Sequence, residues 1–108
     1  MAGDIPLRVD ILHEGAMLTN GDRDKEYGPP QINLAAAGEL KACFRRHLRR
    51  DISAGELEAI DQVLTKIGRV ATGLHPKRDT YVDGATYFAI AGEIALSSSQ
   101  LPPSPKPR

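Results

Sequence analysis

Apolar residues return at steps of three and four through four stretches of this chain, and turn-forming residues separate the stretches. The first covers residues 5–18. There Leu7, Ile11 and Leu18 recur near helical spacing, and Pro6 sits where a first helical turn tolerates it. Asn20-Gly21 and Gly28-Pro29-Pro30 predict a break over 19–31, because proline is not carried in a helix interior. A second helix is expected over 32–49, on the stripe Leu34, Ala37, Leu40, Phe44 and Leu48. Asp51-Ile52-Ser53 interrupts it. Ser53 and Glu56 then form a capping box that opens a third helix, running to about Ala71. Its stripe is the cleanest in the chain: Leu57, Ile60, Leu64, Ile67 and Ala71, flanked by Val63 and Val70. Thr72-Gly73 ends it, and Pro76 cannot continue it.

After the linker LHPKR, Asp79 or Thr80 is expected to cap a fourth helix that runs to about Leu96, with Asp83 in its first turn. This helix is apolar over much of its circumference, so it must be central or have a partner chain cover one side. No segment alternates like a strand, and the closing SSSQLPPSPKPR reads as disordered. These elements predict an all-α protein, a compact four-helix bundle. One domain occupies residues 1–96, and a Pro- and Ser-rich tail occupies 97–108.

Composition sharpens that picture. The chain has 108 residues, one small domain's worth, with 41% hydrophobic residues but only three Tyr, two Phe and no Trp. The core must come from Ala, Leu, Ile and Val, and it is thin against the ordering entropy of a domain this size. Association into a homo-oligomer through the fourth helix is the expected remedy. Fourteen Lys and Arg balance fourteen Asp and Glu, which argues against a general nucleic-acid binder. No run of about 18 apolar residues exists to cross a membrane, and residues 1–20 lack the apolar core of a secretory signal. The default expectation is the cytoplasm. The single Cys43 excludes an internal disulfide and a multi-thiolate zinc site, and reads as a small core residue.

The charged positions outside the stripes supply the candidate chemistry, and each has a plain structural alternative. In Gly21–Pro29, Arg23 can meet an anion and Tyr27 can stack on a base, or the segment is a solvated loop. Lys66 and Arg69 share one face of the third helix. They form a phosphate clamp or an ordinary solvent face. Lys66 also lies between Val63 and Val70, so it must snorkel or find a partner. Asp79, Asp83 and Tyr87 share a face of the fourth helix. Asp83 is then a Mg²⁺ ligand, the ion-pair mate of Lys66 or Arg69, or a complement to the helix dipole. Glu39, among small residues of the second helix, either reaches a shared metal or lies exposed. Lys41, Arg45, Arg46, His47, Arg49 and Arg50 form a basic patch that suits a helix C-terminus. No His pair has zinc-ligand spacing.

Glu14 with Gly15-Ala16, then Gly21-Asp22-Arg23, Tyr27-Gly28, Pro30 and Asn33, then Lys66-x-x-Arg69, Asp79, Val82-Asp83 and Tyr87 follow one another in order. Over roughly residues 9–93 this arrangement resembles an uncharacterised family of small phage and prophage proteins with the pattern GDRxxxYGxPxxN, KxxR and RDxxVD. That family in turn loosely resembles the MazG-like all-α nucleoside triphosphate pyrophosphohydrolases. The resemblance implies Mg²⁺ held by Glu39, Asp79 and Asp83, with Glu39 and Asp83 as the catalytic carboxylates. It implies phosphate contacts from Arg23, Lys66 and Arg69, and a base and ribose pocket shaped by Tyr27, Asn33 and Tyr87. Helix two carries no second acid three residues from Glu39, and helix four has Asp79 and Asp83 in place of a Glu-x-x-Asp pair. That departure favours nucleotide binding over efficient hydrolysis. Three expectations stand: a Mg²⁺-dependent nucleotide pyrophosphohydrolase, a non-catalytic nucleotide sequesterer, and a protein interaction module in which the charges merely join helices.

Overall fold

The computed structural model describes residues 5–19 and 29–100, with side chains through Ser97. Among these residues the chain is all-α. It has four helices: α1 (Leu7–Leu18), α2 (Pro30–His47), α3 (Ala54–Thr72) and α4 (Arg78–Gln100).

Several boundaries differ from the expected ones, each for a local reason. Helix α2 opens two residues early, at Pro30, because a proline at the first helical position forfeits no intrahelical hydrogen bond. It closes at His47, where Leu48 turns extended. Helix α4 begins at Arg78, ahead of both expected caps, with the Thr80 amide donating to the Lys77 carbonyl. Asp79 therefore lies inside the first turn, while Asp83 falls in the second. At its far end α4 runs to Gln100, past Leu96. Nothing in Ser97–Gln100 breaks a helix.

Helix α3 is the centre of the structure, with α2 and α4 both packed against it. Both neighbours run antiparallel to it. On the α2 side, Arg45 meets Asp61 and Ala37 meets Gly68. On the α4 side, Gly55 meets Ile94 and Lys66 meets Asp83 and Gly84. The closest approach is at Gly68. A Cβ there would lie 3.2 Å from the Ala37 backbone nitrogen, so the absence of a side chain lets α2 and α3 touch. The fourth helix is thus lateral, and much of its apolar surface is uncovered by the other described residues.

Helix α1 forms as expected but buries no residue. Its apolar side chains are spread around the axis, so no single face drives docking. The buried apolar residues of the described chain are Ala37, Ala59 and Ala91. No helix of the described chain is long and apolar enough to cross a membrane.

Candidate functional site

The start of α3 shows how the sequence builds a rigid end. The Ser53 hydroxyl accepts the Glu56 amide at 3.1 Å, half of the capping box. The Glu56 carboxylate does not complete it. It takes both guanidinium nitrogens of Arg50, at 3.1 and 2.6 Å, although only 6% of Glu56 is exposed. A bidentate fork in a partly dry setting is a strong, oriented contact. The Arg50 hydrogen bonds hold the Glu56 carboxyl below the ordinary carboxylate range, and the same bonds raise the Arg50 guanidinium. A second cation of the basic patch, Arg45, pairs with Asp61 across α2 and α3 at 2.9 Å. The other oxygen of Asp61, Oδ1, is buried without a hydrogen bond. Arg45 thus ties α2 to α3, while Arg50 ties the connecting segment to the first turn of α3.

Cys43 is exposed, not a core residue as its small size suggested. His47 Nδ1 lies 2.9 Å from the Cys43 carbonyl, a separation at which that nitrogen donates and so does not accept from the thiol.

The opposite end of the α3–α4 pair carries the candidate site. Lys66, with 16% of its side chain exposed, reaches Asp83 at 3.5 Å. Its stem lies over Gly84, where the missing Cβ leaves room. Of the readings for these two residues, the ion-pair mate is the one this geometry forms. One helical turn further along α3, Arg69 lines a hollow of about 130 Å³. The remaining walls are Val70, Gly73, Leu74, His75, Pro76, Lys77, Thr80 and Tyr81. The hollow therefore sits where α3 ends and α4 begins. Arg69, Lys77 and His75 border it, together with the N-terminal turn of α4, whose amides favour negative charge. Thr80 is buried at that turn.

The other sequence-based candidates are dispersed. Glu39 is exposed on the α2 flank, in a shallow depression with Ala36, Leu40, Ala42, Cys43, Arg46 and Ala71. Asp79 and Asp83 belong to the α4 flank. No group of three or more His, Cys, Asp or Glu able to hold a metal ion forms among the described residues. In a single chain the donor set Glu39, Asp79 and Asp83 therefore does not fit one magnesium ion. Asn33 opens α2, and the antiparallel register sets it level with the end of α3. Tyr87 lies on α4 seven residues beyond Thr80, about 10 Å along the axis. Arg23 and Tyr27 lie outside the described residues.

Three lining residues, His75, Lys77 and Thr80, were hidden in what reads as a linker and a helix cap. Their signal is a histidine and a lysine bracketing Pro76 between helices, shortly before a hydroxyl residue.

A small all-α unit centred on α3, with a cation-lined hollow at one end, is the class that fold and site define. The chain belongs to the family of the domain of unknown function DUF6378, whose profile matches residues 10–95. It is also 36% identical over 85 residues to the Gene 55 protein of Mycobacterium phage D29. That alignment takes in 78% of this chain and 52% of the relative, so the chain spans about half the relative's length. The expected relation to an uncharacterised phage family is met by this family and this relative. No solved structure matches the chain.

Proposed function

We propose that the chain binds a phosphate-bearing small molecule, of the nucleotide class, with its phosphate seated in the hollow between the end of α3 and the start of α4. The observation that supports this reading is the lining: Arg69, Lys77 and His75 beside the first turn of α4, with Thr80 inside it. Cations and oriented amides together are what an anion needs when it leaves water. The size of the hollow limits the seat. About 130 Å³ is roughly four water volumes, enough for a phosphate group and too small for a whole nucleotide. The base and sugar would lie outside, toward Asn33 near the start of α2 and Tyr87 further along α4.

Binding without turnover is the favoured form. Hydrolysis of the MazG-like kind asks Glu39, Asp79 and Asp83 to share Mg²⁺, and they stand on separate flanks of α3. The protein would then act by sequestering its ligand.

The test is thermal denaturation with inorganic phosphate, diphosphate and a panel of nucleoside and deoxynucleoside triphosphates, each with and without Mg²⁺. Pyrophosphate release is followed in parallel. A ligand at a hundred times its dissociation constant should stabilise the chain by about 2.7 kcal/mol. Arg69→Gln with Lys77→Gln should abolish the shift. A flat melting temperature across the whole panel overturns the proposal. Mg²⁺-dependent pyrophosphate release that Asp83→Ala removes would replace binding with catalysis.

A further inference from the structure

The described residues by themselves do not enclose a core of ordinary side chains. Among them the buried apolar residues are three alanines, and no large side chain is fully buried. Yet α3 and α4 frame an apolar groove of about 570 Å³, lined by Ile60, Val63, Leu64, Ile67, Ala85 and Phe88 among others. On this face Ile67, Val70, Tyr81 and Phe88 stand exposed, Phe88 by 62%. Large apolar side chains clustered along one concave face, rather than scattered singly, mark an interaction site.

We infer that this groove is the interface of a homodimer, in which the α3–α4 face of one protomer closes on the same face of a second copy. Three observations favour a second copy over other occupants. The first is need: folding must bury side chains larger than alanine, and a second copy is always at hand to supply them. The second is shape. A two-fold interface requires one patch that fits itself, and here the walls of the concave groove include two exposed aromatics, Phe88 and Tyr81. The third is size and charge. A 19-residue and a 23-residue helix, each about 10 Å wide, present a face of roughly 600 Å² in projection, of the order of the ~800 Å² per partner in stable complexes. Its charged residues, Lys66 and Asp83, are of opposite sign and already paired, so two such faces do not repel. The groove shares Val70, Thr80 and Tyr81 with the hollow, but the inference does not require the ligand proposed there.

Sedimentation equilibrium of the full chain, over a wide range of concentration, reads the result. The expected mass is twice the 11.7 kDa of the chain. Phe88→Arg should weaken the dimer by about tenfold or more, as loss of a central aromatic anchor does. A monomer at every concentration overturns the inference. So does a dimer that survives Phe88→Arg but dissociates on Leu12→Arg, which would move the interface to α1. Because Phe88→Arg could prevent folding, a second measurement replaces Phe88 with a photoreactive benzophenone amino acid. Irradiation should give dimer-mass adducts mapped to α3 or α4 of the second copy. Adducts confined within one chain, on residues 7–18, would show that the chain's own α1 fills the groove and would also overturn the inference.

Discussion

Glu56 shows how one residue can be read correctly in position and incompletely in role. Its spacing from Ser53 announces a helix start, and the hydroxyl does hold its amide. Its carboxylate, however, belongs to Arg50. That partner lies six residues back, at no helical interval. Because Arg50 depresses the native carboxyl, the stabilisation is complete above the ordinary Glu value and is lost as pH falls through the lower native one. Urea midpoints followed from neutrality down to about pH 3 should therefore drop steeply at the acid end, and Glu56→Gln should flatten that drop. Equal acid steepness in both proteins would refute the link. Ser53→Ala removes the cap alone and should cost about 1 kcal/mol at any pH where the protein is folded.

Between helices, two close contacts set the packing. A methyl group at Gly68 would stand 3.2 Å from the Ala37 backbone nitrogen, so α2 must give by a few tenths of an ångström, whereas nothing lies within 4 Å of a Cβ built at Gly38. Both are helical, so Ala at either gains about 1 kcal/mol of propensity. Gly38→Ala should thus raise the urea midpoint, and Gly68→Ala should lower it as α2 and α3 are pushed apart. A gain in both would mean that the crossing is looser than described. On the other side of α3, the Lys66–Asp83 pair has one half-exposed partner, so Asp83→Asn should cost only about 0.5 kcal/mol. Helical spacing placed Lys66 beside the apolar stripe and demanded a partner. It could not choose among Asp79, Asp83 and solvent, because that depends on the register of α4 against α3.

At the scale of the molecule, a core of three alanines and an apolar groove left uncovered by the described residues point the same way as the composition. Aromatic residues are too few to fill a single-chain interior, and Phe88, one of two phenylalanines, is spent on the surface. If the α3–α4 face pairs with a second copy, melting temperature should climb with protein concentration. Helix α1 stands apart from that scheme. Leu12→Ala, at a side chain already exposed, should change stability by less than about 0.5 kcal/mol. A large loss measured by chemical denaturation would show α1 docked in solution.

Local rules sufficed for the number, kind and approximate ends of the helices. Hydrophobic period, proline position and capping chemistry act over a few residues, and all are written in neighbouring letters. Ordered motifs likewise carried the family. Which helix lies in the middle, which cation meets which carboxylate, and where a hollow opens are long-range matters. They follow from how ridges and small residues such as Ala37 and Gly68 let helices approach, over separations that no local interval encodes. Thus Lys66 and Asp83 come together, Glu39 is held away on another flank, and the modest stretch from His75 to Thr80 becomes the wall of the candidate site.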